Sequence, residues 1–258
     1  MMASQPTLDQ KVVELQRYID TNPTPKNSRP KIQRVQEYLR NREKFEKHYL
    51  PKLVSIGPIH YGKTDLKVGE KYKLIWAAKY IKNTGSIQKD LHKKIADNIN
   101  TLKSHFDDDV LTLTGKSLEG FGSLDEKLSW ILFVDGCSLL YILENTNLDC
   151  PEPMNIKVDQ LVIVMMDVLL LENQLPYEVL KLLWKDEDGS GLIKSMRSFC
   201  KHFWAKRGES LSEKEKDVVP NGGQHSVSIP NESQSETATH LLDVHYTIIL
   251  DASKPKVQ

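Results

Sequence analysis

An all-α fold, an irregular multi-helix domain with two central apolar helices, is the class this sequence predicts, and three observations predict it. Over residues 7–205, apolar side chains recur every three or four positions, the spacing that gathers them on one side of a helix. Strand-type alternation is nearly missing: Leu53–Ile56 is the one short candidate, at most a minor strand, and it has no evident partner. Helix-start chemistry, a hydroxyl followed three residues later by Glu or Gln, stands in front of two of the periodic stretches.

The elements follow in order. Thr7-x-x-Gln10 caps a helix carrying Leu8, Val12, Leu15 and Ile19, which Thr21-Asn22-Pro23 stops. Residues 22–30 hold three prolines and read as a linker, so 1–30 form an N-terminal helix and linker. Within a helical domain over 31–205, a second helix is expected at Val35–His48. A turn-rich stretch comes next, in which the run Leu53–Ile56 stops at Gly57-Pro58 and is followed by His60, Tyr61, Gly62 and Lys63. Tyr72, Trp76 and Tyr80, beside Leu74, Ile75, Ala78 and Ile81, predict a helix with a thick apolar face that ends at Gly85. Ile87, Leu91, Ile95, Ile99, Leu102 and Phe106 form the clearest amphipathic stripe. Residues 107–123 read as a loop. Ser123-x-x-Glu126 caps a helix whose Leu128–Leu143 run is apolar on most sides and therefore central; Val158–Leu171 repeats that character. Pro176 then opens a helix over Tyr177–Lys185. Residues 206–238 lack large apolar groups and predict a disordered linker, and 239–258 a short helix and tail around His240–Val244.

Charge excludes some classes of function. Lys+Arg and Asp+Glu are both 35, so no global field recruits nucleic acid, and no nucleic-acid partner is expected. Between Lys26 and Lys52, however, nine Lys/Arg face three Glu, 9 − 3 = +6. That excess fits a solvated face or contact with a membrane surface through residues 26–52. Cys137, Cys150 and Cys200 are an odd count without a Cys-x-x-Cys pair, which predicts a reducing, intracellular setting. The apolar runs Trp130–Leu143 and Leu161–Leu171 are interrupted by Asp135 and Asp167 and fall short of the roughly 18 apolar residues of a spanning helix. No transmembrane segment is expected in this chain.

Several motifs fail on geometry. Gly115-Lys116-Ser117 has Val110 where a phosphate-binding loop needs glycine, and the calcium-loop-like run from Asp186 has Arg197 where a bidentate carboxylate belongs. His240 and His245 are five apart with no intervening Glu, which leaves them off a shared helix face. Asp135, Asp167 and Glu172 are different, because each is a carboxylate in or beside an apolar helix, where an unpaired charge is costly. They admit two readings: a metal- or acid-dependent active site, helped by His60, or joints that dock the central helices onto their neighbours.

Four stretches carry a family resemblance. Tyr49–Pro58 with His60-Tyr61-Gly62-Lys63, the upstream Ile32–Arg40, Val134-Asp135-Gly136-Cys137, and Leu169–Leu180 around Glu172-Asn173-Gln174 together resemble the plant family called domain of unknown function 247, and His240-Leu241-Leu242-Asp243 fits a later element of it. The resemblance spans about residues 30–245. It departs at Gln36 (usually proline) and Tyr61 (usually histidine). It also implies that the chain, ending soon after Asp243, is a truncated member. The family is plant-specific, largely helical and without an established enzymatic activity, so the resemblance brings no catalytic residue, no cofactor and no metal. Its members are commonly membrane-associated, and some are linked to self-incompatibility-type recognition, which implies a non-enzymatic interaction protein with a protein partner and association with the plasma membrane. The matching positions are Gly57, Pro58, His60, Asp135, Gly136, Glu172, Asn173, Gln174 and Pro176. On the physical side, the Asn173 and Gln174 amides can donate to the last carbonyls of a helix, which predicts that these positions join helix ends.

Overall fold

The computed structural model describes residues 7–21, 31–42, 49–186, 189–215 and 238–253. Among these are eleven α-helices and no strand, so the fold is all-α. The chain divides into two compact units, Met1–Pro30 and Lys31–Gln258. The first holds α1 (Leu8–Thr21), which opens with the reciprocal cap its sequence predicts: the Thr7 N–H donates to Gln10 Oε1 at 2.8 Å and the Gln10 N–H to Thr7 Oγ1 at 3.4 Å.

The second unit is organised around α7 (Leu124–Asn145), whose residues from Lys127 to Leu143 are buried apart from Trp130. Ser123 caps it by accepting the Glu126 N–H at 3.1 Å. A helix apolar all round needs neighbours on every side. Those neighbours are α3 (Lys67–Thr84), α4 (Gln88–Asp97), α9 (Tyr177–Leu183) and α10 (Ser190–Glu215). At 22 residues, α7 is long and apolar enough to cross a membrane by length and composition alone, which corrects the expectation that this run falls short, and 83% of the qualifying stretch is buried inside the fold.

Several elements differ from expectation. The buried face of α3 is Gly69, Lys73, Trp76, Ala77 and Tyr80, while Leu74 and Ile75 are exposed. The long stripe from Ile87 to Phe106 breaks at Asn98 into α4 and α5 (Ile99–Lys103), though its apolar residues, Ile87 excepted, still enter one core. Residues 108–115, expected as loop, form α6 (Asp108–Gly115), in which Val110 and Thr114, one helical turn apart, are buried. α8 (Val158–Asp167) ends four residues before Leu171 and is one-sided: Leu161, Val164 and Met165 are buried, whereas Val158, Val162 and Met166 face out. α10 runs to Glu215, into the stretch that composition reads as linker, and residues 216–237 lie outside the described residues. Of the helix expected at Val35–His48, α2 (Glu37–Arg40) is described, and residues 43–48 lie outside the description. α11 (Leu241–Ser253) closes the unit against α10.

Leu53–Ile56 is not a strand. The single bridge among the described residues is the parallel pair Ile32 and Phe106. Val54, Ser55 and Ile56 are nevertheless almost wholly buried. Their backbone groups need partners there, and side chains supply them.

Candidate functional site

Backbone amides of segment 52–57, buried from Val54 onward, are taken by three side chains from distant elements. Asp167, the last residue of α8, accepts the N–H groups of Lys52 (3.0 and 3.1 Å), Leu53 (2.7 Å) and Val54 (2.9 Å). Asn173 Oδ1 accepts the Ile56 N–H at 2.6 Å, and its Nδ2 donates to the Val54 carbonyl at 3.0 Å. Bonding the carbonyl before Ser55 and the amide after it is the pattern a residue on a parallel strand would make, so one side-chain amide replaces a missing strand. Asp135, within α7, accepts the Gly57 N–H at 2.8 Å.

Gly57 adopts φ +79, and a Cβ there would lie 2.6 Å from the Gln174 carbonyl oxygen, so both conformation and space require glycine. Gly136 answers a different need: a Cβ on it would meet Leu183 Cδ1 at 2.4 Å, and its absence lets α9 lie close on α7.

Two charged knots flank this segment. In the first, Lys73 Nζ lies 2.6 Å from Asp135 Oδ1, 3.0 Å from Glu70 Oε2 and 3.1 Å from Ser55 Oγ. Ser55 in turn donates to Glu70 at 2.6 Å, and Ser138 donates to the Lys73 carbonyl at 2.9 Å. Burial pushes Asp135 up to about 6, with Lys73 and the Gly57 amide pulling against it. The Tyr61 ring covers the knot, with Lys73 Nζ 5.8 Å and Lys127 Nζ 5.4 Å from its centre. In the second knot, Glu172 accepts from Arg40 with both oxygens, at 2.7 and 2.8 Å, and from the Val35 N–H at 2.6 Å. His60 Nε2 stands 3.1 Å from Glu172 Oε2, close in distance but without the alignment of a good hydrogen bond. Burial acts to raise Glu172, yet His60, the Val35 amide and Arg40 together outweigh it and hold the carboxyl at about 2. Burial lowers His60 despite Glu172, so the ring is neutral at neutral pH.

The residues singled out in the sequence therefore fall at different joints of one seam. Gly57, Pro58 and His60 lie on the turn itself, Asp135 and Asn173 bind its backbone, and Glu172 stands beside His60. Gln174 donates to the Val168 and Leu170 carbonyls at 2.9 and 2.8 Å and accepts the Leu242 N–H at 3.0 Å, which fastens the start of α11 to the turn after α8. Pro176 immediately precedes α9, and the next amide, Tyr177 N–H, donates to the Thr239 carbonyl at 2.9 Å. Sequence reasoning missed Lys73, Glu70, Ser55 and Arg40. For Lys73 a signal exists: it sits on the same 3.6-residue stripe as Gly69, Trp76 and Tyr80, where a solvated lysine does not belong. Among the described residues, no group of three His, Cys, Asp or Glu comes together as metal ligands.

Residues 32–258 match the family described as plant protein of unknown function, DUF247. The chain belongs to this family. A UPF0481 protein of Arabidopsis thaliana is 23% identical over 210 residues, covering 75% of the chain. The chain spans about two fifths of that relative's length, 40%. No solved structure matches. The DUF247 match takes in every segment of the seam, from Val35 through Leu242.

Proposed function

We propose that this DUF247 chain is a non-enzymatic interaction module of plant membrane-associated signalling, of the recognition type that self-incompatibility represents. One observation supports the reading above others: each buried acid of the seam is already occupied. Asp167 holds three backbone amides, Asp135 an amide and an ammonium, and Glu172 an amide and a guanidinium. A general base or metal ligand needs a free oxygen facing substrate, whereas a rigid presenting scaffold needs its carboxylates tied down.

A second reading, an acid- or metal-dependent enzyme using Asp135, Asp167 and Glu172, draws on the burial that pushes Asp135 up to about 6, toward the range where a carboxyl exchanges protons readily. A panel of ester, phosphoester and glycoside substrates separates the two. The interaction reading expects no turnover above the blank. Turnover that disappears in Asp135→Asn, while circular dichroism shows the variant folded, overturns it.

A further inference from the structure

We infer that the cleft beside the Glu172 knot is a binding site for a phosphomonoester dianion, held between Arg34 and Lys63. The cleft, about 940 Å³, is walled by residues 34–41, by the turn at Ile59–Lys63 and by α6. That volume is in the range of sites that enclose a small ligand.

The charges lining it are equal in number but unevenly paired. Arg40 is committed to Glu172 on both oxygens, and that pair cancels. Arg34 and Lys63 form no ion pair among the described residues. Arg34 Nε is buried without any hydrogen-bond partner, and so is Nδ1 of His60, a residue only 1% exposed that lines the same cleft. Buried donors are satisfied in almost every folded protein, so the unpartnered Arg34 Nε marks the place of a missing acceptor. Lys63 is exposed; desolvation first, and then the nearby charges of Arg40 and Arg34, lower its ammonium, while Glu172 opposes them. Among the described residues, Arg34 and Lys63 thus lack a direct counter-ion. Glu37 and Asp109 also line the cleft, but both are exposed and neither pairs with Arg34 or Lys63.

A guanidinium fork and an ammonium side by side suit a tetrahedral dianion: the fork donates two parallel hydrogen bonds and the ammonium adds a point charge. The same chemistry is offered by a soluble phosphomonoester and by the headgroup of a phosphoinositide. This names a ligand for the interaction reading and rests on it only in expecting binding without turnover.

The test uses the full chain, titrated with inorganic phosphate by calorimetry and floated with vesicles of phosphatidylcholine alone, or with added phosphatidylserine or phosphatidylinositol 4-phosphate. Expected is saturable phosphate binding, weakened at least tenfold in Arg34→Gln/Lys63→Met; Lys63→Met alone, at an exposed position, keeps the test open if the double variant does not fold. Binding of phosphate without vesicle recruitment assigns a soluble ligand, and recruitment by the phosphoinositide but not by phosphatidylserine assigns the headgroup. No saturable binding to either, equal recruitment by both anionic lipids, or an affinity unchanged in the variants overturns the inference. Binding accompanied by phosphoester turnover would keep the site and defeat the non-enzymatic reading.

Discussion

Asp135 and Glu172 are equally buried, each 1% exposed, yet their acidities part: burial lifts Asp135 to about 6, while Glu172 is held at about 2. Solvent is shut out of both, but Asp135 is packed on every side while Glu172 borders a cleft, so desolvation weighs more on Asp135, and the donors widen the difference. Glu172 receives an amide and a guanidinium that reaches both its oxygens, and His60 stands beside it. Asp135 receives one amide and an ammonium that it shares with Glu70 and Ser55, and the Glu70 charge pushes it further up. The acidity of a buried carboxylate in this fold follows both its depth and the undivided donors aimed at it, and two sites of one seam can sit on opposite sides of the ordinary value.

The sharpest way to break the comparison is Lys73→Met. It strands Asp135 and removes the partner of Glu70, and a buried charge left alone costs about 3–5 kcal/mol. Unfolding in urea at pH 7 should lose that much, with a smaller loss below pH 6, where Asp135 can take up a proton. A loss under about 1 kcal/mol would mean that the ammonium does not balance Asp135.

Next in size is the pH dependence, where the two acids have opposite signs. Glu172 is depressed from 4.5 to about 2, so its stabilisation, on the order of 3 kcal/mol, is complete above 4.5 and is lost as pH falls toward 2. Asp135 is raised from 3.8 to about 6, so the folded state binds its proton more tightly than the unfolded chain, and stability declines as pH rises from 3.8 to 6. Urea unfolding from pH 2 to 8 should show Glu172→Gln flattening the acid limb and Asp135→Asn removing the decline above 3.8. If both variants change the same limb, the contrast fails.

The smallest effect tests the turn between the knots. Gly57→Ala should cost about 1–3 kcal/mol, because the added Cβ meets the Gln174 carbonyl and the residue must hold a left-handed backbone. A near-neutral result in thermal unfolding would show that the turn moves freely and that the two knots are not rigidly linked through it.

Local chemistry made much of the fold legible. The caps at Thr7 and Ser123, the break at Gly85 and the all-round apolar character of 128–143 each act within a few residues, and each appears in the structure where the sequence places it. Short or tertiary elements were less legible: α6 is only eight residues long, and the end of α8 at Asp167 is dictated by amides 113–115 positions away. In the candidate site, the carboxylates stood out because they interrupt apolar runs, but their partners did not. Arg40 is 132 residues from Glu172 and Lys73 is 62 from Asp135.

By itself the sequence determined an all-α chain, its central helix and the polar residues set within apolar surroundings, because helical period and capping are short-range physics. Only the tertiary structure decided what those polar residues do: that Asn173 stands in for a strand, that Lys73 is drawn inside, and that Arg34 and Lys63 share a cleft in which neither forms an ion pair among the described residues. The reason is that charge and hydrogen-bond partners are chosen by proximity in space, and a chain of this kind brings together side chains that no local pattern links.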